Sequence, residues 1–185
     1  WNHSFSSPRI NHSNWFFLFS IILTELSDNT YVFTVTSTDS DGNISVESNQ
    51  LSIKIDTIAP TQPIITTVTN ITNNNTPTIE GTAEAGSTVT LFIDNVSSNV
   101  TTLVNNDGSF SITSTELSDN SYSFTVTSTD PAGNTSIASN SQVIEIDTNA
   151  PIKPTITTIT SATNNNTPTL EGTAEANSII TLYID

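Results

Sequence analysis

The sequence predicts an all-β chain: tandem β-sandwiches of about seven antiparallel strands each, arranged end to end. Three observations predict it. Apolar residues alternate with a period of two, the mark of strands that bury one face. Clusters of Gly, Pro, Asn, Asp and Ser punctuate the alternating runs as turns. The chain also spells one passage twice: "NNNTPTIEGTAEAGSTVTLFID" at 73–94 returns as "NNNTPTLEGTAEANSIITLYID" at 164–185, with 17 of 22 positions identical at an offset of 91 residues.

That offset organises the rest of the chain. "TELSDN" at 24–29 returns at 115–120, "FTVTSTD" at 33–39 returns at 124–130, and "IDTIAP" at 55–60 returns as "IDTNAP" at 146–151, without insertion or deletion. A fixed period of this size means an array of similar modules. It divides the chain into an irregular segment (1–18), the C-terminal part of a repeat (19–58), a complete repeat (59–149) and the N-terminal part of a further one (150–185). With no Met, and stopping inside a repeated motif, the chain reads as a piece of a longer protein.

Within the complete repeat the expected strands are 63–69, 77–84, 88–94, 99–104, 109–114, 122–129 and 142–148. Val89, Leu91 and Ile93 share one face of the third, and Phe110 and Ile112 one face of the fifth. Tyr122, Phe124 and Val126 do so in the sixth, Ile144 and Ile146 in the seventh. No segment shows the i, i+3, i+4 spacing of a helix. "DPAG" at 130–133 fits a type I turn, and "NDG" at 106–108 a hairpin. Gly86 becomes Asn177 in the next copy. Those two residue types best tolerate a left-handed backbone, so the exchange marks a turn. Seven short strands in about 90 residues are the pattern of an immunoglobulin-like sandwich. The disulfide and core Trp of antibody domains are absent, since there is no Cys and the Trp residues stand at 1 and 15. An odd strand number puts chain entrance and exit at opposite poles, so repeats would join as a rod, and Pro151 in the short linker "DTNAP" stiffens the joint.

Composition narrows function. Three basic residues stand against 18 acidic ones, a formal charge of −15. Such a surface repels phosphate backbones and anionic lipid, which argues against nucleic acid and membrane insertion as roles, and it suits cations. Both His residues, both Trp residues and the only Arg fall in the irregular segment. "WFFLFSIIL" at 15–23 is too short to span a bilayer. Because Phe19 and Ile21 align with Phe110 and Ile112, it is read as a repeat remnant preceded by foreign sequence rather than as a targeting signal. With no His or Cys in any repeat body, neither a Ser-His-Asp nor a Cys-His site assembles there. The carboxylates Glu84, Asp119 and Asp130 recur as Glu175, Asp28 and Asp39, as solvated turns would and a reaction site would not. An enzyme is not expected. Lys54 aligns with Glu145 and Lys153 with Gln62, so no Lys–Asn crosslink is common to the repeats.

The passages "TPTIEGTAEAGSTVTLFID", "DGSFSIT", "YSFTVTSTDPAGNTS" and "IDTNAP" resemble the tandem bacterial Ig-like repeats of large surface adhesins and biofilm-associated proteins. The resemblance implies an extracellular or cell-surface location. It further implies a stalk or spacer in adhesion or biofilm formation, with neighbouring repeats of the same chain as contacts and a host or surface receptor bound by domains outside this piece. It also implies calcium between modules. Where relatives carry Asp before "TP", this chain has Asn73–Asn75 and Asn164–Asn166. A carbohydrate- or ligand-binding module is the second expectation, with Phe92 (Tyr183 in the next copy) as the repeated aromatic, and accessory repeats of a secreted enzyme are the third.

Following the strands up and down places the calcium expectation. The turns at Glu84–Ser87, Asp107–Gly108 and Asp130–Asn134 fall at one pole, where the linker of the previous repeat arrives with Asp56. Clustered carboxylates favour a hard cation with many oxygen ligands. The expected ligands are Asp56 and Asp130, then Asp107 and Glu84, with Asp147 in the equivalent role at the next junction. The partial repeats, finally, leave strand edges unpaired, so the 185-residue piece should self-associate and 59–149 alone should not.

Overall fold

The structure, a computed structural model, describes residues 18–158 and 161–184. The irregular segment, with His3, His12, Arg9 and both Trp residues, lies outside the described residues apart from Leu18. Every regular element among the described residues is a strand. The chain divides into two units, one ending at Asp56 and one beginning at Thr57.

In the first unit β1 (Asn29–Phe33) and β2 (Leu51–Ile55) form an antiparallel pair, with Asn29 opposite Ile55 and Phe33 opposite Leu51.

The second unit holds the complete repeat. Its strands are β3 (Ile64–Ile65), β4 (Ile71–Thr72), β5 (Thr78–Thr82), β6 (Thr88–Ile93), β7 (Val96–Leu103), β8 (Ser109–Thr113), β9 (Asn120–Thr129) and β10 (Gln142–Ile146). One sheet has the order β4-β10-β9-β6-β7, the other β3-β5-β8. Period-two alternation makes each sheet one-sided. Val89 and Leu91 of β6, Phe124 and Val126 of β9, and Ile144 and Ile146 of β10 face inward from the larger sheet. Ile65, Ile79, Phe110 and Ile112 face inward from the smaller one, and Val104 closes the end of β7. These residues form a single buried cluster, so the two sheets are the layers of a sandwich. Burying each such side chain stabilises the fold by about 1.5–3 kcal/mol before chain entropy is set against it. Beyond the repeat, β11 (Thr155–Ile156) and β12 (Gly172–Thr173) pair as β3 and β5 do.

Two expected strands need correction. The run 63–69 is not one strand: β3 pairs antiparallel with β5, while β4 pairs parallel with β10 in the other sheet. Side chains at the end of the β9–β10 connection and the start of β10 fix this switch. Asn140 accepts from the Ile65 amide at 2.9 Å and donates to the Ile65 carbonyl at 3.2 Å, and Gln142 donates to the Thr69 carbonyl at 2.9 Å. The strand expected from 99 begins at Val96 instead, because Asp94 and Asn95 both take positive φ (50° and 65°) and close a two-residue hairpin with β6.

The two short pieces act as one crossing strand, so chain direction is preserved. Ile64 sits opposite Thr82, at the end where β8 begins and β9 finishes. Ile146 sits opposite Asn120 and Thr72 at the other end. The repeat is therefore entered at one pole and left at the other.

The two poles as candidate functional site

At the N-terminal pole three turns converge. The Ala83 amide donates to the Gly108 carbonyl at 2.9 Å and the Gly86 amide to the Val104 carbonyl at 3.3 Å, tying the Glu84–Ser87 turn to the one at Asp107. Thr88 pairs with Thr129, and the buried Ser87 and Ser128 hydroxyls meet at 2.5 Å, tying the same turn to Asp130. Gly86 has φ +80° and its counterpart Asn177 φ 65°, the left-handed backbone that their exchange signalled.

The carboxylates of Asp130 and Asp107 are occupied within their own turns. Asp130 is nearly buried, and its two carboxylate oxygens accept from the Asn134 amide and from the Asn134 side chain, both at 2.8 Å. The Asn134 side-chain amide, with help from the backbone amides of 132–134, holds the Asp130 carboxyl below the ordinary range, against the opposing effect of burial. A depressed carboxyl stabilises the fold above its unfolded pKa, and that stabilisation is lost as pH falls through the folded one. Asp107 is lowered in the same direction by the Ser109 hydroxyl and then the Ser109 amide, at 2.7 and 2.9 Å. The Glu84 carbonyl accepts from Ser87, at 2.6 Å from its hydroxyl and 3.2 Å from its amide. Asp56 belongs to the first unit, where it forms an ion pair with Lys54 at 2.7 Å. Among the described residues no three His, Asp or Glu side chains gather into a group able to hold a metal ion. The second unit therefore brings the turns of Glu84, Asp107 and Asp130 to one pole without assembling a ligand set from their carboxylates.

The C-terminal pole holds an arrangement that sequence reasoning missed. One oxygen of Asp119 accepts from the Thr148 amide at 3.1 Å and the Thr148 hydroxyl at 2.8 Å, and the other from the Asn149 side chain at 2.6 Å. The first residues of the linker are thus clasped to the repeat they leave. Asp147 accepts from the Asn149 amide at 3.0 Å, closing a local turn in the same stretch. Three residues further on, past Ala150 and Pro151, the Ile152 amide donates to the Glu175 carboxylate at 3.0 Å. Glu175 stands in the next copy of the repeat. The signal was present as the joint return of "TELSDN" and "IDT" at 91 residues, which keeps an Asp and a Thr 29 residues apart.

Phe92, the repeated aromatic, is half-buried on the outer side of β6 between Ser97 of β7 and Thr125 of β9. Its counterpart Tyr183 is exposed.

Residues 65–148 match the family model of the bacterial Ig-like domain. No curated protein sequence matches the chain. Among solved structures, similarity extends to the fibronectin(III)-like modules of Clostridium thermocellum CbhA, at 17% identity, TM-score 0.45, over 67% of this chain and 65% of that one. It also extends to the BSP domain of a biofilm associated protein, at 22% identity, TM-score 0.37, over 67% of this chain and 20% of that one. A third is the D00-D0 domain of intimin, at 16% identity, TM-score 0.32, over 64% of this chain and 65% of that one. The chain thus spans less than two thirds of each of these structures, and likenesses this distant do not extend to function. Among the described residues no helix is long and apolar enough to cross a membrane.

Proposed function

We propose that this chain, whose complete repeat is a bacterial Ig-like domain, is a non-catalytic spacer of a secreted or cell-surface adhesin. Its repeats would join end to end and carry a binding domain away from the surface. One observation carries the reading: the linker leaving the repeat is held from both sides, by Asp119 of one copy and Glu175 of the next, with only Ala150 and Pro151 between the clasps. Pro151 fixes its own φ and restricts Ala150. A joint of this kind transmits direction from module to module, which a spacer needs and a catalytic or sugar-binding module does not.

Backbone 15N relaxation of the 185-residue chain tests it. Residues 147–152 should show order parameters near those of β9 and β10, about 0.85, and Asp119→Ala should lower 148–149 toward 0.6 with the strands unchanged. A linker already at or below about 0.6 in the parent chain would overturn the spacer reading.

Calcium at the N-terminal pole belongs to the same proposal. Its support is the convergence of the Glu84, Asp107 and Asp130 turns at that pole and the strongly acidic balance of the chain; Asp56 and Asp147 remain the linker carboxylates it calls for. The cation would tighten the joint that the clasps define.

A further inference from the structure

We propose that the two terminal segments of the complete repeat, 62–72 and 138–147, form the seam that bears tension when an array is pulled, and that Asn140 and Gln142 set its strength. This rests on the spacer reading in one respect, since only a repeat joined at both ends is loaded along its length. The segments lie side by side and run the same way, from the entrance pole to the exit pole. Gln62 donates to the Ala138 carbonyl at 2.6 Å, and Asn140 accepts from the Ile65 amide and donates to the Ile65 carbonyl. Gln142 then donates to the Thr69 carbonyl. The Glu145 amide donates to the Asn70 carbonyl at 2.8 Å and the Asp147 amide to the Thr72 carbonyl at 3.0 Å. Partners thus advance together along both segments, as the parallel pairing of β4 with β10 requires.

Direction decides what this arrangement does. The first segment continues back toward the preceding repeat and the second onward to the following one, so tension draws them past one another along their own axes. Force then falls across every level of the seam at once, and the bonds must give way together. The rest of the sandwich holds each segment in place while this happens. β10 is paired with β9 from Gln142 to Ile146. The first segment is anchored by the buried Pro63 and Ile65 and by the pairing of Ile64 and Ile65 with β5. The Thr66 amide adds a bond to the Glu80 carbonyl at 2.9 Å.

Side chains matter to the seam because its strands are short. β3 and β4 have two residues each, and 66–70 between them belong to no strand. Over that stretch the seam is closed by side chains, with Asn140 tied to Ile65 at the end of β3 and Gln142 tied to Thr69 just before β4. The Asn140 and Ile65 positions return in the neighbouring copies as Asn49 and Ile156, whereas Gln142 gives way to Leu51. The Asn140 tie therefore recurs in kind, and the Gln142 tie is an addition of this repeat.

Constant-force unfolding of single molecules of the full chain tests this, because forced unfolding reads the unfolding rate. The chain has no Cys, so introduced thiols define where force enters. Handles on Thr61→Cys and Ala150→Cys load the seam along its length. Handles on Val96→Cys and Ala150→Cys both attach at the exit pole and open the sheet from that end, one bond after another. At one force the repeat should unfold at least about ten-fold faster in the second geometry. Asn140→Ala and Gln142→Leu should each speed unfolding about five- to ten-fold in the first geometry and less than about two-fold in the second, since both ties lie beyond the bonds that open first. Gln142→Leu is the exchange that the neighbouring copy already has, so it stands as the test if Asn140→Ala fails to fold. Equal rates for the parent in the two geometries, or variants that speed unfolding alike in both, would overturn the proposal. Neither result bears on the spacer reading, which is decided by the order of the linker.

Discussion

Asp119 and Asp130 look alike in the sequence: each is an acidic turn residue that returns after 91 positions. The structure separates them. Asp130 organises its own turn through Asn134, whereas Asp119 reaches across 29 residues to fasten the linker at Thr148 and Asn149. Period and turn chemistry made the residues visible, but a partner so distant in sequence is set by β9–β10 pairing and not by local composition. The exchange of Gly86 for Asn177 was legible for the opposite reason, since a positive φ is a property of one residue. The calcium proposal is also a matter of single residues. With calcium near millimolar and a dissociation constant on the order of 10⁻⁴ M, binding would add about 1.4 kcal/mol. The thermal midpoint of the repeat in the full chain should then rise by roughly 5 °C or more over that in chelator. Asp56→Ala with Asp130→Ala should abolish the gain, and an unchanged midpoint in the parent would retire calcium from the account.

At the scale of elements, the strands with clean alternation were readable and the irregular ones were not. β6, β8, β9 and β10 bury the faces that their apolar residues mark. The run "IITTVTN" carries no such marking, because it serves both sheets in turn and is held by Asn140 and Gln142 rather than by its own pattern. The hairpin at Asp94–Asn95 was legible in principle, since two consecutive residues tolerant of positive φ signal a tight turn. Gly81 in β5 shows what packing demands of a strand. A Cβ there would run into the Ile64 carbonyl of β3 and lie 2.6 Å from the Phe110 ring of β8. Gly81→Ala should therefore destabilise the repeat by about 1–3 kcal/mol in chemical denaturation, without changing the slope. Gly86→Asn, the natural exchange, should cost a few tenths of that, because it preserves the backbone that the turn requires. Equal stability of the two variants would mean that the close approach of β3, β5 and β8 is wrong.

For the molecule as a whole, period and strand order placed the chain ends of the repeat at opposite poles. The doubly clasped linker is the physical reason to expect that the repeats keep one direction. If Asp119 and Glu175 fix each joint, the length of an array is the sum of its modules; if the joints swivel, length grows only as the square root of their number. Small-angle X-ray scattering of one, two, three and four tandem copies of 59–149 joined by the native "DTNAP" linker measures this directly. The maximum dimension should increase by a constant step, roughly 35 Å per repeat from the ten residues of β9. The same arrays carrying Asp119→Ala should fall below that line. A step that shrinks with each added repeat in the unmodified arrays would contradict the claim that these modules form a spacer.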